Sequence, residues 1–445
     1  MVVIPAGKLD IAIVGTGIAG LSAAWLLSQR HHVTVYEKAS RLGGHANTID
    51  VPGADGTTPV DMGFIVYNPS TYPNLTALFE ELGVPTEPSE MSFAVSLRGG
   101  ALEYAGTDLK GLFAQPSNLL KPRFWSMLSD LVRFYRQGTR DARGGADDLG
   151  NLGDYLQAHG YGEALIRDHL LPMAAAIWST PGQDMLAYPA ASFLSFCDNH
   201  GLMRLTDRPQ WRTVTGGSRT YVEKISAPFA NRVRLGTGVR SITRRGDQVY
   251  VTDERNGTHS YDHVVIAAHA DQALTMLSDS TGLERTILGA LRYGSNHAVM
   301  HRDPILMPRR RSAWCSWNYL SAEDEDGVCA TYWMNRLQNL GDREQIFVTL
   351  NPCIAPAANS VIHRENYQHP LFDAAALEAQ RHLWSLQGLA RTWYCGAYFG
   401  SGFHEDGLQA GLAVAEALGG MRRPWSVAGE SARIHLARQP GLVAA

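Results

Sequence analysis

The chain has 445 residues, of which 45% are hydrophobic and 18% are charged, as in an ordinary globular protein. Its length predicts two domains, and its net charge of −4 disfavours a nucleic-acid-binding protein. No segment has the pattern of a signal peptide or a membrane span, and the five cysteines lack disulfide or metal-ligand spacing. We therefore expect a cytoplasmic protein without a bound metal.

The first predicted elements form a strand–helix–strand unit with a dinucleotide-binding pattern. An apolar run at residues 11–14 leads into a glycine-rich turn, an Ala- and Leu-rich helix and a second strand that ends at an acid. The glycines permit a tight turn, admit the pyrophosphate and let helix and strand pack closely, while the acid binds a ribose. The pyrophosphate is expected on the helix N-terminus. The residues assigned to this site are Gly15, Gly17, Ile18, Ala19, Gly20, Glu37 and Lys38.

A second glycine pair follows soon after the ribose acid and bears on which nucleotide binds. NAD enzymes have no need of such a pair. In FAD enzymes of the glutathione-reductase type, by contrast, the chain passes close over the pyrophosphate and the flavin edge. The pattern therefore favours FAD, with an enzyme that uses NAD alone as the alternative. The residues added to the site are Arg41, Gly43, Gly44, His45, Gly63 and Phe64.

Later segments continue the same predicted domain. Alternating hydrophobicity predicts strands within residues 232–242, 248–252 and 261–268. Near the C-terminus a strand, a glycine-rich turn and a helix follow one another. Asp406 is the expected N-cap of that helix, and the backbone N–H groups of Gly407 and Leu408 are expected to face the flavin C2 carbonyl.

These motifs together resemble the flavin-containing amine oxidase superfamily with its phytoene-desaturase-like relatives, and most of all a bacterial branch of predicted NAD/FAD-binding amine-oxidase-like proteins. The resemblance covers nearly the whole chain. It implies FAD as the cofactor, with Arg41 at the pyrophosphate, the Val239 backbone at the adenine, and Ala267 and Gly396 on strands beside the cofactor. Many relatives have an acid after that glycine to bind the ribityl chain. Here the position is Ala397, and we expect backbone or Glu405 to substitute.

The resemblance also implies how the chain is divided. We expect an α/β fold in which a Rossmann-like FAD-binding domain of the glutathione-reductase type is interleaved with an α+β substrate domain. A helix is predicted near residues 74–82, where the first insertion begins. The FAD-binding domain is assigned residues 1–75, 206–285 and 386–420, the substrate domain residues 76–205 and 286–385, and the tail residues 421–445.

The lysine content bears on the reaction. Amine oxidases of this superfamily commonly place a lysine beneath flavin N5, and this chain has no lysine after Lys224. We therefore favour the desaturation of an apolar lipid or fatty-acyl substrate by hydride transfer to flavin N5. O2 or a quinone is the expected re-oxidant. The alternatives are an amine oxidase that makes imine and peroxide, a redox-neutral double-bond isomerase, and a protein in which FAD is purely structural.

Several side chains are candidates for the substrate site. His404 and Glu405 are the expected acid–base pair, because their turn should abut the flavin, and Tyr67 is expected to line the pocket. Further pocket-wall candidates are Asn68, Trp178, His200 and Trp333. Lipid contact is one interpretation of Arg309, Arg310 and Arg311 and of the predicted helix at residues 124–135 with its basic neighbours. The favoured interpretation of the three arginines is a solvated loop, and that of the helix is ordinary core packing.

Overall fold

The structure, a computed structural model, describes residues 7–53, 56–144, 149–178, 182–204, 206–322 and 328–436. Its strands in chain order are β1 (Asp10–Val14), β2 (His32–Tyr36), β3 (Thr48–Gly53), β4 (Gly56–Asp61), β5 (Val66–Tyr67), β6 (Thr86–Ser89), β7 (Phe93–Leu97), β8 (Leu102–Ala105), β9 (Trp211–Val214), β10 (Val233–Arg234), β11 (Val239–Arg245), β12 (Gln248–Asp253), β13 (Thr258–Tyr261), β14 (His263–Ile266), β15 (Arg292–His301), β16 (Trp317–Leu320), β17 (Ala330–Trp333), β18 (Phe347–Leu350), β19 (Val361–Leu371) and β20 (Thr392–Tyr394).

The helices lie between these strands and at the C-terminus. In chain order they are α1 (Ile18–Leu27), α2 (Pro73–Glu81), α3 (Leu109–Leu112), α4 (Pro122–Gly144), α5 (Leu152–Ala158), α6 (Glu163–Leu165), α7 (Leu171–Trp178), α8 (Gly182–Leu186), α9 (Ala190–Asn199), α10 (Arg219–Ser226), α11 (Ala270–Met276), α12 (Gly282–Gly289), α13 (Met334–Leu337), α14 (Ala374–His382) and α15 (His404–Ala417). A π-helical turn, Ile166–Leu170, joins α6 to α7. Among the described residues, no helix combines the length and apolar character needed to cross a bilayer.

A parallel sheet forms the centre of the nucleotide-binding half. Its strand order is β10-β2-β1-β14-β20, with β1 between β2 and β14. Continuous apolar runs suit such strands because both faces of a parallel sheet are usually covered. Every residue of α1 is buried. The turn from β1 into α1 follows the last residue of β1 and so lies at the carboxyl edge of the sheet, where ligands of such folds bind.

A second, seven-stranded sheet forms the other half. Its order is β19-β15-β18-β17-β16-β7-β8, and all of its pairs are antiparallel except β16 with β7. Strands β7 and β8 come from the first predicted insertion and β15–β19 from the second. Helices α4, α5, α7 and α9 contribute a separate hydrophobic cluster beside this sheet. The α/β class with a parallel core is confirmed.

Two helices that lie wholly or partly in the predicted substrate domain pack against the other half of the protein. Leu75, Leu78 and Phe79 of α2 belong to the hydrophobic core of the nucleotide-binding half, as do Ala376 and Ala379 of α14. Both helices therefore extend that half beyond the predicted boundaries.

The described part of the C-terminal tail also packs on the nucleotide-binding half. Trp425 stacks on Trp25 with ring centroids 5.9 Å apart, and Arg423 pairs with Glu416 at 2.8 Å. Ile434 is buried in the same hydrophobic core. The tail up to residue 436 is therefore a packed part of this half.

Candidate active site

A single large cavity runs from the carboxyl edge of the parallel sheet to the seven-stranded sheet and the helices beside it. Its volume is about 1440 Å³, which exceeds the roughly 300–1,000 Å³ of pockets that hold one small ligand. Residues of both halves line it. The cavity therefore has space for a dinucleotide and for a substrate beside it.

The glycine-rich turn forms the nucleotide end of this cavity. Gly15 has φ +102°, and a Cβ there would lie 2.8 Å from the carbonyl oxygen of Ala267. A Cβ at Gly17 would meet no protein atom within 4 Å, although Gly17 lines the cavity. No side chain caps the start of α1 at Gly17. The turn thus leaves room beside free N–H groups, as a bound pyrophosphate requires.

Glu37 lies at the end of β2 with its carboxylate held in place. Its Oε2 accepts hydrogen bonds from the backbone N–H of Thr16 at 3.0 Å and from the Thr16 hydroxyl at 2.6 Å. Its Oε1 accepts from the N–H of Ala39 at 2.8 Å. A carboxylate has about four acceptor positions, so Glu37 retains capacity for a ribose hydroxyl.

The second glycine pair holds the chain close to the cavity wall. The Arg41 guanidinium donates to the carbonyl oxygens of Gly44 at 2.8 Å and Ala46 at 3.3 Å. A Cβ at Gly63 would lie 2.0 Å from the carbonyl oxygen of His45, so no larger residue fits there without movement. This arrangement presents Arg41 and His45 to the cavity.

The structure places most of the predicted cofactor residues on the cavity wall. Those that line it are Gly15, Gly17, Ile18, Ala19, Glu37, Lys38, Arg41, Gly44, His45, Gly63, Phe64, Val239, Ala267 and Gly396.

Gly20 and Gly43 serve packing instead. A Cβ at Gly20 would lie 2.0 Å from the oxygen of Gly15, and one at Gly43 would lie 2.5 Å from the oxygen of Ala46. For Gly20, close packing is the role that the fingerprint assigns to its third glycine.

The start of α15 differs from the prediction. The helix begins at His404, so Asp406 is its third residue and not its N-cap. The Asp406 carboxylate accepts from the N–H of Phe403 at 2.7 Å and pairs with Arg433 at 2.6 Å. Gly407 packs against Ile18, with room for no Cβ. Neither of these two residues nor Leu408 lines the cavity.

Four histidines surround the middle of the cavity. The His45 ring lies 4.9 Å from Tyr367, 5.5 Å from His369 and 6.5 Å from His269, measured between centroids. Burial lowers the pKa of His45 well below its ordinary value, and the neighbouring histidines lower it further. Burial also lowers the pKa of His369 to about 4 and that of His404 to about 3. All these rings are therefore neutral near pH 7.

Of the three predicted catalytic residues, only His404 lines the cavity. Its ring stacks on Phe64 with centroids 3.8 Å apart, and its Nε2 lies 2.8 Å from the Tyr221 hydroxyl. Phe64 and Tyr221 thus hold the imidazole in place at the wall of the cavity.

Glu405 and Tyr67 lie elsewhere. The Glu405 carboxylate accepts hydrogen bonds from the N–H groups of Asn74 and Leu75 at 3.1 and 2.9 Å. It therefore stabilises the first turn of α2. Tyr67 is buried and packs edge-on against Tyr72 and Phe79. Neither side chain lines the cavity, so neither has access to a substrate, contrary to the prediction that both are catalytic.

The substrate half of the cavity has an apolar and aromatic wall. The predicted wall residues Trp178 and His200 lie on it, whereas Trp333 donates its indole N–H to Gln345 at 2.7 Å outside it. Asn68 is buried off the wall and accepts from Ser70 at 2.6 Å. The aromatic and aliphatic residues that line it include Met91, Phe93, Met173, Ile177, Trp178, Phe196, Trp211, Trp317, Tyr332, Leu350 and Phe372.

The carboxylates that line the cavity all lie toward the nucleotide end. Glu37 follows β2, and Glu254 lies against Gly238 at the start of β11. Asp271 is on α11, directly beyond Ala267 and Ala268, and Glu365 lies 4.0 Å from Arg41. No described Asp or Glu lines the substrate half.

The three consecutive arginines have local partners. The backbone N–H groups of Arg309 and Arg310 donate to Glu103, and the Arg310 side chain pairs with that carboxylate at 2.8 Å. Arg311 lies over the Trp314 ring at 4.7 Å. These contacts give the side chains of Arg310 and Arg311 partners within the protein.

Several residues of the wall were not predicted from the sequence. His269 follows the strand predicted to lie under the cofactor, so its position was a usable signal. His369, Tyr367 and Tyr398 carried no such signal, because they come from β19 and from the turn after β20. Among the described residues, the buried His45 Nε2, His269 Nδ1 and Tyr398 hydroxyl have no hydrogen-bond partner.

The residues present fit a bound FAD. The wall offers an open backbone at Gly17, a ribose acid at Glu37, an arginine at Arg41, and buried polar atoms aimed at the middle of the cavity. Unpartnered buried polar atoms are rare in folded proteins, and a flavin ring carries complementary donors and acceptors.

Comparisons with known proteins agree with this geometry. A family model described as "Flavin containing amine oxidoreductase" matches residues 18–299. The chain is 31% identical over 273 residues to "Putative flavin-containing monoamine oxidase AofH" of Mycobacterium tuberculosis, a match that covers 59% of this chain and 57% of that protein. The matched region therefore spans little more than half of the relative's length.

Solved structures share the fold. Cyclohexylamine oxidase from Brevibacterium oxydans superposes with a TM-score of 0.67 at 17% identity, over 92% of this chain and 98% of that one. A fatty acid isomerase from P. acnes that produces CLA gives a TM-score of 0.61 at 16% identity, over the same shares of the two chains. At these identities the likeness concerns the fold alone.

Proposed function

The chain belongs to the flavin containing amine oxidoreductase family, and from this premise we propose that it is an FAD-dependent oxidoreductase that desaturates a largely apolar, acyl-type substrate. The observation that carries the proposal is the substrate half of the cavity. Its wall is aromatic and aliphatic, and the lining carboxylates all lie at the nucleotide end. An apolar chain gains free energy on such a wall, whereas an ammonium group finds no counter-charge there.

The chemistry requires a hydride acceptor and a proton acceptor. FAD, when bound, supplies the two-electron acceptor that takes a hydride from one substrate carbon. The neighbouring carbon loses a proton as the double bond forms. His404 lines the cavity, and the Tyr221 hydroxyl lies 2.8 Å from its Nε2 and orients the ring. We assign the proton to this imidazole, and O2 or a quinone completes the cycle.

Amine oxidation is the second candidate. The observation in its favour is the 31% identity to a protein named as a monoamine oxidase. The absence of any lysine after Lys224 and the placement of the lining carboxylates disfavour it.

The substrate class is tested by product analysis. The purified holoenzyme is incubated in air with oleate, methyl oleate and a panel of primary and secondary amines, and products are identified by mass. We expect an acyl product lighter by two hydrogens. An imine or aldehyde with peroxide from the amines, and no change in the acyl compounds, would establish the second candidate instead. An acyl product of unchanged mass with a shifted double bond would indicate an isomerase.

We also propose peripheral contact with a lipid surface, through residues other than the predicted helix face. Phe124, Met127, Phe134 and Tyr135 of α4 are buried in the protein. Of the ten exposed large hydrophobic residues in the part of the chain that the structure describes, four instead lie in the segment from α3 to the first turn of α4. They are Leu109 (75% exposed), Leu119 (48%), Leu120 (86%) and Trp125 (48%), here named the apolar patch.

Contacts join Trp125 to two neighbours in this segment. The Trp125 indole donates to the Leu119 carbonyl at 2.9 Å, and its ring lies 5.8 Å from Phe113. Two of the chain's five lysines, Lys110 and Lys121, each follow an exposed leucine of the patch. An exposed apolar patch flanked by lysines is typical of a surface that rests on a membrane.

A further inference from the structure

The substrate half of the cavity reaches solvent at a mouth formed by Gly106, Arg208 and their neighbours. Gly106 and Arg208 both line the cavity and are both exposed. The Arg208 guanidinium donates from Nε to the carbonyl oxygen of Arg204 at 2.8 Å and from Nη1 to that of Gly106 at 3.4 Å. These two bonds hold the side chain across the mouth.

Arg208 is the single charged residue of the substrate half among the described lining residues. The other charged lining residues, Glu37, Lys38, Arg41, Arg240, Glu254, Asp271 and Glu365, lie toward the nucleotide end. Both bonds that Arg208 donates end on backbone oxygens, and no described carboxylate forms an ion pair with it. A guanidinium has five N–H donors, so three remain for an anion.

The positive charge of Arg208 acts inside the cavity as well as at its rim. His169 and Tyr135 line the wall behind it. Burial, with a smaller contribution from Arg208, lowers the pKa of His169 to about 4. Burial raises the pKa of Tyr135 to about 12, against the opposing effect of Arg208. Both groups are therefore neutral near pH 7 and leave the positive charge uncompensated.

Neighbouring groups hold His169 in a fixed orientation. The ring lies on the π-helical turn, with Nδ1 2.9 Å from the Tyr104 hydroxyl and Nε2 3.5 Å from the Tyr135 hydroxyl. The Tyr104 hydroxyl donates to the carbonyl oxygen of Asp168 at 2.8 Å, so it accepts from His169 Nδ1. The Tyr135 hydroxyl then donates to Nε2. The wall behind Arg208 is thus polar at its rim and carries no negative charge.

We propose that Arg208 binds the anionic head group of the substrate, a carboxylate or a phosphate ester, at the cavity mouth. This inference rests on the proposed acyl chemistry and narrows its substrate class. From Arg208 the apolar chain extends along Phe93, Met173 and Trp178 toward His404. Arginine suits this task because its planar fork binds carboxylate and phosphate with two hydrogen bonds. The same charge repels a protonated amine at the entrance.

The test measures binding, with turnover recorded separately. Oleate, lysophosphatidate, methyl oleate and hexylamine are titrated into the oxidised holoenzyme, and Kd is read from flavin and tryptophan fluorescence. The variants are Arg208→Gln, Arg208→Lys and, as a matched control, Arg204→Gln, an exposed arginine four residues earlier that does not line the cavity.

We expect Arg208→Gln to weaken the tighter of the two anionic ligands at least tenfold, and Arg208→Lys to restore part of the loss. Methyl oleate should change less than twofold, and Arg204→Gln should match the wild type. Whichever of oleate and lysophosphatidate shows the loss identifies the head group. Equal losses for methyl oleate, unchanged Kd values for both anions, or tighter binding of hexylamine than of either anion would each overturn the assignment.

Turnover separates this inference from the proposed function. If the wild type binds an anionic ligand through Arg208 but oxidises no acyl compound, the anion site stands and the desaturase proposal fails. If Arg208→Gln oxidises oleate and lysophosphatidate with the KM of the wild type, the desaturase proposal stands and the anion site fails.

Discussion

Gly17 is the position where the protein backbone leaves open space beside the start of α1. A Cβ at this residue would meet no protein atom within 4 Å, and its φ of −63° and ψ of 174° suit alanine. We therefore expect Gly17→Ala to fold normally and to bind FAD at least tenfold more weakly, because the added methyl group enters the space of the pyrophosphate. Flavin content after purification and the Kd of re-added FAD measure the effect.

Gly282 provides the matched control for Gly17. It opens α12, and a Cβ there also meets nothing within 4 Å. Gly282→Ala should keep full flavin content and the thermal stability of the wild type. Full flavin content in Gly17→Ala would contradict the assignment of this turn to the pyrophosphate.

His404 and Glu405 are adjacent in sequence but have different surroundings. We expect His404→Gln to keep its FAD and to reduce the rate of flavin reduction by acyl substrate roughly 10²–10⁴-fold, the range for loss of a general base. Because the pKa of His404 is about 3, its protonation should not slow the wild type between pH 5 and 8. Stopped-flow absorbance measures the rate.

Glu405→Gln should have the opposite pattern. It replaces an acceptor of hydrogen bonds from Asn74, Leu75 and Gln409 with a group that also donates. We expect a loss of about 1–3 kcal/mol in unfolding free energy with the rate of flavin reduction unchanged. A large rate loss in Glu405→Gln, with none in His404→Gln, would reverse the two roles.

Glu284 ties together α12, β11 and β20. Its carboxylate accepts from the Arg244 guanidinium at 3.0 Å, the Tyr394 hydroxyl at 2.6 Å and the N–H of Thr281 at 2.7 Å. Burial alone would raise the pKa of Glu284, but these hydrogen bonds lower it to about 2. Its stabilising contribution is therefore present above its ordinary pKa and is lost as pH falls through about 4.5 toward about 2.

We expect Glu284→Gln to lower the unfolding free energy by about 3 kcal/mol at pH 7, as when one partner of a buried ion pair is removed. The difference from the wild type should narrow as pH falls toward 3. Denaturant unfolding at both pH values measures it, with the exposed Glu378→Gln on α14 as a control of small effect. A difference independent of pH would contradict this account of Glu284.

The elements that carry a local sequence motif or a clear hydrophobic periodicity were predictable. Strands β1, β2, β11 and β12 and helices α1, α2 and α4 lie where glycines and hydrophobic periodicity predict them. The sequence did not predict which hydrophobic core α2 would join. The apolar face of this helix could pack against either half of the protein. The residue type of Asp406 predicts an N-cap, but the helix begins two residues earlier. The Asp406 carboxylate instead accepts a hydrogen bond from the N–H of Phe403.

At the scale of the molecule, the nucleotide end of the cavity was largely predictable and the substrate end was not. The nucleotide end derives from short motifs whose glycines and acid have fixed spacing. The substrate end is formed where the two insertions meet, so His369 and Arg208 reach it only through long-range packing. Neither residue has a distinctive sequence neighbourhood.

The apolar patch makes a prediction for the whole protein. Leu109→Glu combined with Leu120→Glu should abolish cosedimentation with vesicles of phosphatidylcholine and phosphatidylglycerol, because charged side chains oppose insertion into the interface. Leu283→Glu with Leu389→Glu, two exposed leucines elsewhere, is the matched control and should bind as the wild type does. Wild-type protein that stays in the supernatant, or dimerises through this patch, would contradict the lipid contact.

Anaerobic single turnover distinguishes net oxidation of an acyl compound from amine oxidation and from isomerisation. Holoenzyme is mixed without oxygen with one equivalent of oleate, its lysophospholipid or an amine, and the flavin absorbance and the product mass are followed together. We expect an acyl compound to bleach the flavin stoichiometrically and to yield a product two hydrogens lighter. Bleaching by amines alone, or an acyl product of unchanged mass with the flavin again oxidised, would contradict it.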